Sequence, residues 1–282
     1  MSRQYPIGVA SFTIPIRSDK LQMSFSVNRE ICNVQTEFQN ITILDTEVFG
    51  KALLLDGHIQ LTDFDEAAYH ECLVQIPALN LPRFERALVI GGGDGGVIRE
   101  LCKHPSVTHI DMVEIDQGVV DACKEHMPNL SNGAFDDPRV HLHITDAFHF
   151  VKDATGPYDL IIVDSTDTYE EEEGEISEML WTKEFYADIA RVASPYGIVV
   201  TQADNHIFCP YSCEEVLGLF SNVFNHRGFY FGLVPSFGGY SGFVWGSMNN
   251  EVGPNFEVRL NRDFKYLNEV TYPLAFSDLR FS

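Results

Sequence analysis

The sequence predicts an α/β fold, in which a doubly wound, Rossmann-like sheet follows a small N-terminal antiparallel β domain. From Arg86 onward, apolar β-type runs alternate with helical stretches, a pattern typical of a mostly parallel sheet covered on both faces. The first of these runs ends in a glycine-rich turn. Residues 20–62 instead alternate between polar and apolar side chains, as antiparallel strands do. We therefore divide the chain into a β-strand domain, residues 1–64, and a Rossmann-like domain, residues 65–282.

Hydrophobic periodicity defines the strands of the N-terminal domain. Ile41, Ile43 and Val48 stand among polar neighbours, and the apolar residues 52–55 lead into Asp56-Gly57. An Asp-Gly pair between two β-type runs indicates a hairpin, because both turn positions favour a positive φ. The strand then returns through residues 58–61.

A helix is predicted over residues 65–75, where it links the two domains. Ala68, Cys72 and Gln75 fall roughly on one face of this helix. Pro77 should end it, because proline cannot donate the helical hydrogen bond.

The glycine-rich turn indicates a nucleotide-type site. Gly91, Gly93 and Gly96 match the spacing G-x-G-x-x-G, directly after an apolar strand and before a helix. Glycines let the backbone approach a ligand closely, and the helix directs its first N–H groups at the ligand. A second strand over residues 108–115 contains Glu114, about 20 residues further on, where a carboxylate can bind both ribose hydroxyls. We therefore expect a ligand that carries adenosine.

Asp94 lies inside this turn and has two interpretations. Its carboxylate would repel a pyrophosphate or an amino-acid carboxylate by about a kcal/mol or more at short range, so a cationic adenosine derivative fits better. Asp is also a common cap of a following helix. Both interpretations stay open at this point.

Polar residues mark the ends of successive predicted strands. Helices are predicted over residues 117–126 and 182–192, with strands over residues 140–145, 159–163 and 197–202 between and after them. Doubly wound folds bind ligands at the carboxyl ends of their parallel strands. The residues at these ends are Glu114, Asp146, Asp164 and Gln202.

The composition excludes several classes of partner. The 282-residue chain has a formal net charge of −22, which disfavours nucleic-acid backbones and anionic membranes and would attract small polycations, although charge also serves solubility alone. The six cysteines contain no C-x-x-C pair, and no apolar run approaches membrane-spanning length. We expect a cytoplasmic protein. His141 and His143 share a strand face, but without a third ligand they predict no metal site.

Two carboxylates three positions apart follow one of these strands. Asp164 and Asp167 could form an ordinary Asx turn, but together with Asp94 and the acidic helix over residues 65–71 they favour a site for a cationic ligand. Six glutamates stand within residues 168–178, and such a run of like charge predicts a solvated loop. The alternative is a lid that helps to gather a cationic substrate.

The chain resembles the polyamine aminopropyltransferases, the spermidine synthase family, from roughly Gln39 to Trp245. The motifs that carry the resemblance are Phe38-Gln39, Leu55-Asp56-Gly57-His58-Ile59-Gln60-Leu61-Thr62, Asp65-Glu66, Tyr69-His70-Glu71, the glycine turn at residues 91–96, Val113-Glu114-Ile115-Asp116, Phe135-Asp136-Asp137-Pro138-Arg139, Asp164-Ser165-Thr166-Asp167 and Glu184-Phe185-Tyr186.

The resemblance implies a methyltransferase-type Rossmann fold and transfer of an aminopropyl group to an amine. The donor would be decarboxylated S-adenosylmethionine, a co-substrate, with no other cofactor and no metal. Asp164 would accept the proton, assisted by Tyr69, and Asp167 would bind the far ammonium of the acceptor. A homodimer or homotetramer is implied as well. Donor contacts are expected from Gln39, Gly91, Gly93, Asp94, Glu114, Asp146 and Ala147, and polyamine contacts from His70, Asp94, Asp164, Ser165, Thr166, Asp167 and Gln202.

Two departures from the family pattern leave the acceptor open. The family continues the catalytic loop as Asp-Pro-x-Gly-Pro, whereas this chain has Asp167-Thr168-Tyr169. Phe237 stands where the family usually carries a tyrosine that contacts the amine, and Tyr240 is a candidate replacement. Putrescine is the expected acceptor, with spermidine or agmatine as alternatives.

Three other functions compete with aminopropyl transfer. A methyltransferase would use intact S-adenosylmethionine, whose carboxylate Asp94 disfavours. A catalytically silent polyamine-binding protein would bind without releasing methylthioadenosine. A nicotinamide dehydrogenase would place a pyrophosphate beside Asp94, whose carboxylate would repel it.

Overall fold

The computed structural model describes residues 10–17, 20–165, 182–205, 207–254 and 263–278, which form two β-sheets and the helices that cover them. The fold class predicted from the sequence is confirmed. The small sheet lies within residues 10–62 and the large one within residues 86–247. The division between residues 64 and 65 stays a prediction. No helix within the described ranges has the length and apolar character needed to cross a lipid bilayer.

The small sheet is an antiparallel meander in chain order. Its hairpin at Asp56 and Gly57 has φ values of 47° and 80°, the left-handed conformation that an Asp-Gly turn favours. Its first strand, which the sequence analysis did not predict, pairs along most of its length with the second. The strands are β1 (Ala10–Arg17), β2 (Leu21–Gln35), β3 (Asn40–Thr46), β4 (Gly50–Leu55) and β5 (His58–Thr62).

The large sheet has the order β11-β12-β10-β9-β6-β7-β8. Strands β6 to β10 run parallel, and β12 is antiparallel to both of its neighbours. The strands are β6 (Arg86–Gly91), β7 (His109–Glu114), β8 (Val140–Ile144), β9 (Tyr158–Asp164), β10 (Ala193–Gln202), β11 (His226–Val234) and β12 (Gly239–Ser247).

Helices cover both faces of the large sheet. Helices α1 and α2 share a core with Val89 of β6, whereas α4, α5 and α6 share another with Leu88 of the same strand, because successive strand residues point to opposite faces. The helices are α1 (Glu66–Leu79), α2 (Gly96–Cys102), α3 (Gln117–His126), α4 (Ala147–Asp153), α5 (Lys183–Val192), α6 (Pro210–Ser221) and α7 (Thr271–Leu274).

Helix α1 is longer than the sequence predicted. The prediction that Pro77 ends it was wrong: the proline lies inside the last turn, and the helix ends at Leu79. Nearly every residue of α1 is buried, so packing outweighs the single hydrogen bond that proline removes. Phe185 and Tyr186 on α5 are fully buried core residues.

Helix α3 joins the two sheets. Its residues Val119 and Cys123 pack with Ile41, Ile43 and Leu53 of the small sheet. The small sheet therefore sits close to the carboxyl ends of β6 and β7, from which the glycine turn and α3 begin. Glu114, Asp164 and Gln202 all lie at this edge, where the parallel strands end.

Candidate active site

The glycine turn packs against the end of β9. Gly91 has a φ of 79°, and a Cβ at this position would lie 2.1 Å from the carbonyl oxygen of Asp164. The N–H of Gly92 donates to that same oxygen at 3.0 Å. A Cβ on Gly93 would lie 2.9 Å from Glu114 Oε2. Here the glycines are required because the turn approaches two neighbouring strand ends, and this approach brings both carboxylates beside it.

Glu114 is a buried carboxylate at the end of β7. Its Oε1 accepts the N–H groups of Ile115 at 2.8 Å and Asp116 at 2.9 Å. Burial raises the pKa of Glu114 to about 7, although these backbone donors act in the opposite direction. In the absence of a ligand, Glu114 thus titrates near neutral pH.

A groove of about 570 Å³ opens beside the residues that directly follow Glu114 in the chain. Asp146 lies at its rim, and its Oδ1 accepts the N–H of Phe148 at 2.8 Å, so this side chain caps α4. Ala147 is buried as the first residue of that helix. The lining residues are Thr36, Glu37, Phe38, Ile115, Asp116, Gln117, Gly118, Ile144, Thr145 and Asp146.

Asp116 connects this groove to the small sheet. Its Oδ2 accepts from Thr36 Oγ1 at 2.8 Å and from Gln39 Nε2 at 3.0 Å, both in the turn between β2 and β3. Its Oδ1 accepts the N–H of Gly118 at 2.9 Å and caps α3. Gln39 and Glu114 therefore meet at Asp116. No local pattern in the sequence predicts this contact, because Asp116 and Thr36 lie 80 positions apart.

Tyr69 and Asp164 form the centre of the site. Tyr69, on the second turn of α1, donates its hydroxyl to Asp164 Oδ1 at 2.5 Å. Its ring packs on Phe237 and Phe243, with centroid distances of 5.8 and 5.6 Å. Tyr69 and Asp164, to which the family resemblance assigns proton transfer, are thus in direct contact.

His70 lies between two carboxylates and is fully buried. Its Nδ1 is 2.9 Å from Glu66 Oε2, and its Nε2 is 3.2 Å from Asp94 Oδ1, a contact poorly aligned for a hydrogen bond. Burial alone would lower the pKa of His70, but the Asp94 and Glu66 carboxylates outweigh it and raise the pKa to about 10. His70 is therefore an imidazolium at neutral pH.

Asp94 contacts both the start of α2 and the His70 ring, whereas its preference for a cationic ligand stays a prediction. Its Oδ1 accepts the N–H of Gly96, the first residue of α2, at 2.7 Å. The same oxygen faces the His70 ring. The carboxylate thus stabilises the helix start and also places negative charge in the site.

The surroundings of Asp164 bring the pKa of its carboxyl group close to neutral pH. Burial and the nearby Asp94 carboxylate raise the pKa of Asp164 to about 6, while the His70 charge and the Tyr69 hydrogen bond act in the opposite direction. At neutral pH the carboxylate is mostly ionised and can accept a proton.

Within the described ranges, one set of side chains is close enough to share a metal ion. One ligand atom from each of His70, Asp94 and Asp164 lies within 4.8 Å of the others. A metal ion would have to displace a proton from His70, because a protonated imidazole has no lone pair to offer. The two neighbouring carboxylates, Asp94 and Asp164, could bind an ammonium group as well as a metal ion.

Comparison with known proteins identifies the relatives of this chain. Residues 66–255 match the family model described as the spermine/spermidine synthase domain, and residues 12–63 match that described as the spermidine synthase tetramerisation domain. The chain belongs to the spermine/spermidine synthase family. The resemblance drawn from its motifs is confirmed.

Relatives from bacteria share much of the chain. The polyamine aminopropyltransferase of Pectobacterium atrosepticum is 39% identical over 244 residues, which cover 85% of this chain and 82% of the relative. Polyamine aminopropyltransferase 1 of Pseudomonas aeruginosa is 41% identical over 224 residues, 79% of this chain and 77% of the relative.

Solved structures in the family have the same architecture. A spermidine synthase in complex with the transition-state analogue AdoDATO superposes with a TM-score of 0.88 at 26% identity, over 99% of this chain and 96% of the other. The spermidine synthase of Thermotoga maritima gives a TM-score of 0.87 at 27% identity, over 99% and 95%.

The segment after Asp164 is held by Gln202. Gln202 Nε2 donates to the carbonyl oxygen of Ser165 at 3.0 Å, and its Oε1 accepts the N–H of Asp204 at 3.1 Å. Gln202 and Ser165 are thus brought together at the site. Thr166 and Asp167 lie outside the described residues, as do residues 168–178.

Tyr240 does not take the place of the family tyrosine. It lies three positions before Phe243 on β12, so its side chain points to the opposite face of the strand from the one that contacts Tyr69. There its ring stacks edge-on against Phe231, with a centroid distance of 5.0 Å. Phe237 instead presents an apolar ring beside Tyr69.

Asp65 fixes the position of the turn that carries Phe237. Its two carboxylate oxygens accept from Ser236, the N–H at 2.7 Å and the hydroxyl at 2.9 Å. Thr62 donates to Asp65 Oδ1 at 2.6 Å. This contact joins residues 171 positions apart, so no local pattern predicts it, and it engages a carboxylate that the sequence placed in an acidic helix facing a cationic ligand.

Proposed function

We propose that this enzyme transfers the aminopropyl group of decarboxylated S-adenosylmethionine to an amine and releases 5′-methylthioadenosine. The observation that carries the proposal is the group formed by Tyr69, Asp94 and Asp164: a carboxylate that exchanges protons near pH 6, held by a tyrosine, beside a second carboxylate. Family membership supports it, because relatives are named polyamine aminopropyltransferases.

The proposed donor site lies at the ends of β6, β7 and β8. Glu114 would accept hydrogen bonds from the ribose hydroxyls, and the groove lined by Asp146 would hold the adenine. Gln39 supports this side through Asp116. The negative charge of Asp94 at the turn favours a donor without an amino-acid carboxylate, which distinguishes decarboxylated S-adenosylmethionine from the intact compound.

The proposed reaction is one displacement. Asp164 takes a proton from the acceptor ammonium, and the freed nitrogen attacks the carbon next to the sulfonium sulfur. A C–N bond forms as the C–S bond breaks, and its electron pair passes to sulfur, which leaves as a neutral thioether. The paired carboxylates would align the two cationic substrates for this attack.

Putrescine is the acceptor that we propose first, with spermidine and agmatine as alternatives. Phe237 cannot hydrogen-bond an amine, so the apolar ring beside Tyr69 favours methylene groups of the acceptor over a polar head group. We also propose that the chain forms a homo-oligomer, a dimer or a tetramer, because residues 12–63 match a tetramerisation domain.

The test is methylthioadenosine release from decarboxylated S-adenosylmethionine with putrescine, cadaverine, agmatine, diaminopropane, norspermidine or spermidine. Turnover with one acceptor would establish the activity and identify the selected amine. Binding of donor and amines without release, in the folded protein, would contradict the proposal and indicate a polyamine-binding function.

A further inference from the structure

Three cationic side chains surround one buried carboxylate behind the site. Glu66, on the first turn of α1, is 6% exposed. Its Oε2 lies 2.9 Å from His70 Nδ1 and 2.8 Å from Arg99 Nη2, and its Oε1 lies 3.6 Å from Lys265 Nζ. Glu66 lies outside the group formed by Tyr69, Asp94 and Asp164 and is connected to it through His70.

The position of the His70 ring between two carboxylates favours a positive charge on it. Both ring nitrogens face carboxylates, Nδ1 toward Glu66 and Nε2 toward Asp94. A neutral imidazole carries one N–H, so its other nitrogen would face one of these anions with a lone pair. An imidazolium donates to Glu66 and also keeps its positive charge 3.2 Å from Asp94, without a well-aligned hydrogen bond there. Little space is left for another ring position, because a Cβ on Gly96 would lie 2.2 Å from His70 Cε1.

The charge on His70 acts on Asp164. The groups around the imidazole are Glu66 and Tyr69 on α1, Asp94 in the glycine turn and Asp164 at the end of β9, with Arg99 and Lys265 beyond Glu66. Asp94 and Asp164 repel each other, and the positive ring offsets this repulsion. Loss of the ring charge would therefore favour a proton on Asp164.

We propose that Glu66 is a positioning residue that holds His70 as an imidazolium and thereby keeps Asp164 ionised for proton uptake. Arg99 and Lys265 balance the charge of Glu66, so the buried carboxylate stays ionised itself. As an imidazolium, His70 has no lone pair that could accept a hydrogen bond from an ammonium group. Its positive charge instead stabilises the ionised forms of Asp94 and Asp164. The part played by Asp164 rests on the proposed function, whereas the charge state of His70 does not.

The charge state is measured on the free enzyme by ¹⁵N NMR of the histidine side chains. The His70 signals are assigned from their loss in His70→Gln. In the wild-type protein at pH 8 we expect both ring nitrogens of His70 to be protonated. In Glu66→Gln we expect the ring to titrate below pH 8 and to show one deprotonated nitrogen. A neutral His70 in the wild-type protein at pH 8 would overturn the proposal, whatever the enzyme's activity.

The kinetic consequence is a shift of the pH profile. In Glu66→Gln, the acidic limb of kcat should move upward by about one pH unit, so that turnover at pH 6 falls about fivefold while the alkaline plateau is kept. KM for the amine and the affinity for methylthioadenosine should stay within about twofold of the wild-type values. Loss of kcat by the same factor at every pH would reduce Glu66 to a structural role and overturn the proposal.

Glu100→Gln is the matched control. Glu100 is also a buried carboxylate, and its Oε1 lies 2.9 Å from the same Arg99, but its other contacts are Lys103 and Gln75 rather than His70. We expect both Glu100→Gln and Glu66→Gln to lower thermal stability, but Glu100→Gln should leave the His70 spectrum and the pH profile unchanged. Equal shifts in the two variants would contradict the proposal. If the wild-type enzyme turned over no amine, the proposed function would fail while the NMR result still decided the state of His70.

Discussion

At the scale of single residues, Asp164 is the group on which the proposed chemistry depends. Asp164→Asn keeps the size of the side chain and can still contact Tyr69, but an amide cannot accept the amine proton. We expect kcat to fall by about 10²–10⁴-fold, with the affinity for methylthioadenosine within about threefold of wild type. Single-turnover assays and calorimetry measure the two quantities. Activity close to wild type would remove the base from Asp164.

Glu114 predicts a pH dependence of donor-side binding. A carboxylate that titrates at about pH 7 is ionised above that pH and protonated below it. If its ionised form accepts the ribose hydroxyls, the affinity for methylthioadenosine should rise about tenfold between pH 6 and pH 8. Titration calorimetry across this range tests it. In Glu114→Gln the affinity should be weaker and nearly independent of pH, and an equal slope in both proteins would exclude Glu114 as the source.

The contacts between residues show what the sequence could and could not predict. Asp164 and Tyr69 were named because both stand in motifs that the family shares, and the structure places them in contact. Arg99 stands in none of these motifs, and its contact with Glu66 joins residues 33 positions apart on two helices. The packing of α1 against α2, on which this contact depends, has no local pattern in the sequence.

At the scale of elements, the parallel strands and their helices were predicted closely, because hydrophobic runs and caps are local features. Helix α3 has the predicted bounds and is capped by Asp116. The missed features depend on distant parts of the chain. Helix α1 continues through Pro77 because it is buried on nearly all sides, and β1 is stabilised by its pairing with β2.

The contact between α1 and α2 gives a prediction at this scale. A methyl group at Gly96 would overlap the His70 ring, so Gly96→Ala should separate the two helices, lower the free energy of unfolding by about 1–3 kcal/mol and reduce activity. Gly218→Ala is the control, since Gly218 lies on α6 with no atom within 4 Å of the added Cβ. That variant should be neutral or stabilised by up to about 1 kcal/mol. Chemical denaturation compares them, and equal stability of the two variants would contradict the predicted overlap.

At the scale of the whole molecule, the net charge of −22 should assist the capture of a cationic acceptor. Salt screens this attraction over about 8 Å at physiological ionic strength, so KM for the amine should rise severalfold between low and high salt while kcat changes little. Methylthioadenosine is neutral, and its affinity serves as the control. If KM for the amine is independent of salt, the surface charge serves solubility alone.

The turn between β2 and β3 connects the small sheet to the groove and to Glu114. Through Thr36 and Gln39 it holds Asp116, whose backbone N–H is bound by Glu114, and it also lines the groove beside them. In an assembly built on this sheet, a neighbouring protomer that fixed the turn would change the free energy of nucleoside binding. Linkage is reciprocal, so the nucleoside would strengthen assembly by the same factor. In such an assembly the subunits would bind the donor cooperatively without any contact between the Asp164 sites of different protomers.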